Sequence, residues 1–379
     1  MGQDRQARAA ERIIELAARP VDLVTLWRDT TEVLAEAVPF YWTPCWYALD
    51  PASLLITSHY HDGLDEFPAD WLANEYYQDD VNKLVDVATS PAGVSTLFEA
   101  TDGRPESSPR WHTNMTLGGD QEMIVRLRTA DGQVWGMLGL YREPGRPMFD
   151  DADKRLLQAV APHLAAAARR ALLLGEATDP DSPDAPGLVV LDERWDVVST
   201  TPGVERWLAE LPDGDLAAGR LPSAVQSVAA RALAAARDSV PRHQVAVARV
   251  LARNGTWLVL HGARMQTRGE RQVAVIIEAA TPSRIFPLLV SAYGLTERER
   301  EITELVLAGS STAQIAARLV ISPHTVQQHL KSIFDKTGVN SRRDLVGRIF
   351  FTHYEPRFRD NESRTAGRLP LRGGPAARR

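Results

Sequence analysis

LTERERE (residues 295–301), AGSSTAQIAARLVIS (308–322) and PHTVQQHLKSIFDKTGVNSRRDLV (323–346) carry, in order, the start and stop signals of four short helices. Thr296 with Glu299, and Ser311 with Gln314, are capping boxes, in which each side chain satisfies a backbone N–H at the opening turn. Ser322 followed by Pro323 opens a third helix, and Ser341 with Asp344 a fourth. Gly309 and Gly338 stand where the first and third must end. In the second helix Ile315, Ala316 and Leu319, with Ile321 beyond it, form a compact apolar side. Ala316 is small enough to let the third helix approach, which is helix-turn-helix packing. On that third helix Val326, Leu330 and Ile333 point inward, so His324, Gln327, Gln328, Lys331 and Asp335 point out. Such an outer face is shaped for the DNA major groove. Glutamine can bond adenine in a bidentate way and lysine can reach guanine or phosphate, so Gln327, Gln328 and Lys331 are the predicted base readers. Lys336, Arg342 and Arg343 are predicted on backbone phosphates, and His324 and Thr325 complete the predicted DNA-binding set.

This stretch resembles the LuxR-type helix-turn-helix family, whose L-T-x-R-E, I-A, I-S-x-x-T-V-x-x-H and K-x-G-V elements stand here almost throughout. It departs at Gln314, where the family usually has Glu, and at Thr337, where it usually has Leu. The resemblance implies double-stranded DNA as partner and a homodimer. It also implies a dimer contact on the last helix through Leu345, Val346, Ile349 and Phe350.

Upstream, FDDADKRLLQAVAPHLAAAARRALLLGEA from Phe149 repeats Leu156, Val160, Leu164, Ala168 and Leu172 on one helical face. Asp150 and Asp153 suit its N-terminus, Pro162 predicts a kink, and the helix should stop near Gly175. Residues 178–186, rich in Pro, Asp and Ser, read as a linker. Before it, CWYALD, SLLITSHY, EMIVRLRT and VWGMLGLYR read as strands, with a hairpin turn at Ala130–Gln133. After it the order is two strands, two helices and three strands, with Asn254–Gly255 as a hairpin turn. The expected fold class is multidomain α+β. Residues 1–177 resemble a GAF domain and 187–281 a PAS domain, each with an antiparallel sheet. A connecting helix over 282–294 leads to the all-α four-helix unit over 295–352, and 353–379 form a basic tail predicted to be disordered.

No apolar run approaches the ~20 residues a membrane span needs, and the charged N-terminus lacks a secretory signal, so the expected location is the cytoplasm. The formal net charge of −6 excludes a surface that coats nucleic acid uniformly and leaves DNA contact to a segment. Cys45 is the only cysteine, which rules out an internal disulfide and a thiolate zinc site and leaves redox sensing as its one candidate role. The acidic pair, strand-terminal Asp and later Lys of a phosphorylated receiver domain do not occur together. No catalytic set, phosphate loop or metal-ligand cluster is visible, so neither an enzyme, nor a metal, nor a cofactor is expected. His59 and His61 share a strand face without a third ligand at suitable spacing. Trp71, Tyr76 and Asp79 weakly resemble the spacing of acyl-homoserine-lactone-binding domains. Trp46, Tyr47, Trp111, Trp135 and Tyr141 are the candidate walls of a pocket for a small apolar effector. Function is therefore expected to be sequence-specific transcription regulation gated by a small molecule or a partner. The rivals are sensor domains that bind only protein, and an enzyme with an attached DNA-binding domain.

Overall fold

The computed structural model describes residues 2–61, 71–172, 185–215, 219–235, 245–265, 271–280 and 282–353. Residues 178–184 of the predicted linker and the basic tail from 354 lie outside them. Helices α1 (Gly2–Ala18) and α2 (Leu23–Ala37) lead into strands β1 (Tyr41–Leu49) and β2 (Ile56–Tyr60). Helices α3 (Trp71–Tyr77) and α4 (Leu84–Thr89), strand β3 (Val94–Thr96), and helices α5 (Leu97–Ala100) and α6 (Pro109–Thr116) follow. The hairpin β4 (Gln121–Arg128) and β5 (Val134–Arg142) and the long α7 (Asp151–Ala171) close this part.

The first sheet is antiparallel, in the order β2-β1-β5-β4-β3. Its central strand β5 is buried at every position, because helices cover both faces. Strand alternation sends Trp46 to one face, where it stacks on Trp27 of α2 at 4.6 Å and 7° and where α7 also packs. Tyr47 goes to the other, towards Trp71 of α3. Gly136 has no substitute in this sheet, since a Cβ there would sit 2.6 Å from the Tyr47 carbonyl oxygen. The hairpin turns through Gly132 at φ 91, as the Ala130–Gln133 signal predicts. The Asp150–Asp153 capping box forms, and α7 continues through Pro162 to Ala171.

The second sheet comprises β6 (Gly187–Leu191), β7 (Val197–Thr200), β8 (Val247–Leu251), β9 (Trp257–Met265) and β10 (Gln272–Ala279), with α8 (Val204–Ala209) and α9 (Ser223–Ala234) between β7 and β8. Its order, β7-β6-β10-β9-β8, repeats that of the first. Strands β8 and β10 alternate buried with more exposed residues, the mark of a sheet packed on one face.

Apart from Trp257, Leu258 and Ala279 at strand ends, both sheets belong to one compact unit. Helix α9 is buried at all twelve positions. It packs on α3 and β2 of the first sheet and on β8 of its own, and its Ala and Ser residues allow that approach on several sides. Polar groups complete the joint: Arg249 donates to Asp50 from Nη2 at 2.6 Å and from Nε and backbone N at 2.9 Å each. Ser227 Oγ donates to the Ile56 carbonyl at 2.8 Å, and the Arg231 guanidinium lies 4.9 Å from the Tyr76 ring centroid.

A second unit holds α10 (Pro282–Ala292), α11 (Glu297–Leu307), α12 (Thr312–Leu319), α13 (Pro323–Thr337) and α14 (Arg342–His353). Among the described residues no helix is long and apolar enough to cross a membrane.

Candidate nucleic-acid interface and sensor-domain interior

Each of the four helices begins as its caps dictate. Thr296 with Glu299 and Ser311 with Gln314 form complete capping boxes. Ser322 Oγ accepts from the Thr325 amide at 3.0 Å and Ser341 Oγ from that of Asp344 at 3.0 Å. Between α12 and α13 the chain turns at Val320, whose φ of 55 is a left-handed conformation that a β-branched residue rarely takes. Ile315 and Ala316 of α12 and Val326, Leu330 and Ile333 of α13 are buried. The opposite face of α13 is left to solvent, with His324, Gln327, Gln328 and Lys331 all exposed and Thr325 half-buried. Gln328 and His324 lie 3.2 Å apart, one helical turn from each other, and Gln327 reaches Thr312 Oγ1 only at 3.4 Å. Weak intramolecular ties of this kind leave the amides available to an external partner.

Lys336, expected on a backbone phosphate, turns back onto its own domain. Its ammonium lies 2.6 Å from Glu299 Oε2. Glu299 also accepts from Ser332 Oγ at 2.6 Å and from the Thr296 amide at 2.7 Å. Burial alone would raise this carboxyl; the hydrogen bonds from Lys336, Ser332 and Thr296 outweigh it and hold the group at about 2. The capping glutamate of α11 therefore bolts α13 in place, and Lys336 is part of that bolt. Arg343 is exposed, whereas Arg342 is half-buried, with Nε and one Nη atom lacking a hydrogen-bond partner among the described residues.

The last helix buries two of the residues expected at a dimer seam. Leu345 and Ile349 are 0% and 2% exposed within the single chain, so they have no surface to offer a second copy. Helix α14 packs on α11, which is how two of the four residues predicted at the dimer seam come to be core. Val346 is half-buried, and the side chain of Phe350 lies outside the described residues.

In the first sheet domain the predicted pocket residues do not line one space. Trp46 is fully buried among α2 residues, with its indole N–H on Thr31 Oγ1 at 2.9 Å. The strand register puts Tyr47, Glu122 and Tyr141 on the opposite face. Tyr47 stacks there on His59 at 4.6 Å, and Tyr141 lies against Trp42 at 4.6 Å. Trp111 is half-buried and donates to Asp120 Oδ1 at 3.0 Å, while Trp135 is buried. This face also holds a polar cluster outside the expected site residues. Arg110 bonds Glu122 Oε2 from Nε at 2.7 Å and Glu75 Oε1 from Nη2, and Asn82 and Tyr141 also donate to Glu122. All three ionic side chains are almost completely buried. Burial pushes the Glu122 carboxyl up, against the pull of Arg110. Only the place of Glu122 two residues before Ile124, on the same face of an otherwise apolar strand, could have hinted at an inward carboxylate.

Tyr76 ties the β1–β2 connection, donating to the Leu54 carbonyl at 3.1 Å and accepting from the Ile56 amide at 3.0 Å, and Trp71 joins the Tyr47 stack. Asp79 is exposed. Cys45 is buried, and burial pushes its thiol up to about 12, which leaves no reactive thiolate for redox sensing. Among the described residues no group of three or more His, Cys, Asp or Glu side chains could hold a metal ion.

Residues 294–348 match the family model of bacterial regulatory proteins, luxR family, and residues 22–168 match that of the GAF domain. Over 52 residues the chain is 48% identical to an HTH-type transcriptional regulator of Mycobacterium tuberculosis, a span of 14% of this chain and 6% of that protein. Over 52 residues it is 50% identical to the transcriptional regulatory protein SgaR of Hyphomicrobium methylovorum, 14% of this chain and 25% of the relative. The chain thus spans a quarter or less of the length of these relatives. Escherichia coli SdiA superposes on 90% of this chain and 96% of its own at 13% identity, with a TM-score of 0.31, too low to carry an argument. From these matches and the observed topology, the chain carries a GAF domain in its N-terminal part, a second five-stranded antiparallel sheet domain, and a LuxR-family helix-turn-helix domain at its C-terminal end.

Proposed function

We propose that this protein is a transcription regulator that reads double-stranded DNA with α13 and sets its DNA affinity through the two sheet domains. The carrying observation is the division of α13 into a buried apolar face and an exposed face bearing His324, Gln327, Gln328 and Lys331, held by the capped α11 and α12. Gln327 and Gln328 read bases and Lys331 a base or a phosphate, while Arg343 and Arg342 contact the backbone. Lys336 serves the fold first. A two-fold dimer on an inverted repeat is part of the proposal, since one such helix covers only a few base pairs. Its seam lies outside Leu345 and Ile349. The sheet domains act as the sensor, for a small molecule or a protein.

The test is selection of a high-affinity site from random duplexes, followed by titration of Gln327→Ala and Gln328→Ala on the selected site and on unrelated DNA. Each substitution should cost about 1–3 kcal/mol on the selected site and almost nothing on the unrelated one. Equal weakening on both would remove these residues from base reading.

A further inference from the structure

The first sheet domain contains a cavity of about 150 Å³, walled by other residues than the aromatic set predicted for a pocket: Thr96, Phe98, Pro105, Asp120, Glu122 and Phe149 line it together with Gln121 and Met148. Phe98 and Met148 at its rim are each 45% exposed, high for side chains of that size and apolarity. The opposite wall is fixed. Gln121 accepts from the Phe149 amide at 3.2 Å and donates to the Arg146 carbonyl at 2.9 Å, which clamps the segment before α7 to β4. The charges on the lining are all negative. That of Glu122 is answered by Arg110, and its oxygens are taken up by Arg110, Asn82 and Tyr141. Asp120 has one oxygen on the Trp111 indole N–H, and neither oxygen meets a cation among the described residues.

From this lining we propose that the cavity is a binding site for a small organic cation, an amine on an apolar body of about benzene's size. A cavity of 150 Å³ is what benzene occupies in an engineered protein core, which sets the ligand's bulk. Phe98, Phe149, Pro105 and Met148 supply apolar and aromatic contact. An ammonium group would neutralise Asp120 and gain from the ring of Phe98, whereas Phe149 already carries the Arg142 guanidinium 4.0 Å from its ring centroid. A carboxylate of the same size would meet Asp120 and Glu122 with like charge, and a neutral molecule would desolvate Asp120 with no matching cation. The site goes beyond the DNA-reading proposal, and its test uses no DNA.

The full chain is titrated calorimetrically with benzylamine, benzyl alcohol and benzoate as size-matched cation, neutral molecule and anion. Benzylamine should bind with a Kd of about 1 mM or tighter, the alcohol about tenfold more weakly, and benzoate not at all. Asp120→Asn keeps an acceptor for Trp111 and should lower benzylamine affinity about tenfold, to the level of the alcohol. Met148→Ala, at the exposed rim, should weaken amine and alcohol alike. Benzoate binding as well as benzylamine, benzylamine binding unchanged by Asp120→Asn, or no benzylamine binding up to about 10 mM would each overturn the assignment.

Discussion

Replacing Glu299 by glutamine removes the charge that joins the start of α11 to the recognition helix while keeping one acceptor oxygen. The wild-type carboxyl is held at about 2 against an ordinary 4.5, and each tenfold change in proton affinity corresponds to about 1.4 kcal/mol. Taken whole, that depression would amount to about 3 kcal/mol. The Lys336 side chain is 34% exposed, so solvent screening brings the expected figure to about 2 kcal/mol. Because the folded-state value is depressed, this stabilisation is fully present above about pH 4.5 and is lost as the pH falls from there towards 2. The variant should lack that part of the acid dependence. Hydrogen exchange read by mass spectrometry on the full chain isolates the effect to α11–α13. At neutral pH, protection there should fall by about thirtyfold, the equivalent of 2 kcal/mol, with the sheet domains unaffected. Unchanged protection in α13, or a variant whose acid sensitivity equals that of the wild type, would refute the assignment of Glu299 and Lys336 as the bolt.

Val320 is 89% exposed at φ 55, so Val320→Gly loses little packing and relieves left-handed strain. A gain of about 0.5–1 kcal/mol in denaturant unfolding is expected after the entropic penalty of glycine, and a loss would contradict the strain argument. Asp50→Ala strips Arg249 of its carboxylate in the joint between the sheets and should cost about 3–5 kcal/mol. Asp50→Leu combined with Arg249→Met removes the unpaired charge but leaves the Arg249 and Ala52 amides without their acceptor, so it should recover only part of that in chemical denaturation; no recovery at all would mean that the charge pair is not what the joint loses. Iodoacetamide at pH 8 should leave Cys45 unlabelled in the native chain and label it fully in denaturant, since the buried thiol sits at about 12; rapid native labelling would restore a redox role.

Local chemistry is readable from the sequence wherever a residue acts on neighbours three or four positions away. Thr296, Ser311, Ser322, Ser341 and Asp150 all cap the helices expected of them, because a cap is decided by a side chain and the backbone of one turn. The inward and outward faces of α13 follow from the helical period for the same reason. Tertiary structure alone decided the rest. Trp46 and Tyr47 are adjacent in sequence, yet the strand pleat sends them to opposite sides of a sheet covered on both faces, which composition cannot reveal. Leu345 and Ile349 form an apolar stripe that would serve equally as core or as a seam between copies. Only their burial by the rest of the chain shows that they are core. Lys336 looks from its charge like a phosphate ligand, and its partner Glu299 stands 37 residues earlier in the chain. Helix α9 carries one local sign of its burial, the near absence of charge in VQSVAARALAAA, which leaves it no face for water. That its free sides would be covered by α3 and β2, joining two sheet domains into one unit, depends on contacts more than a hundred residues apart, for which no local pattern exists.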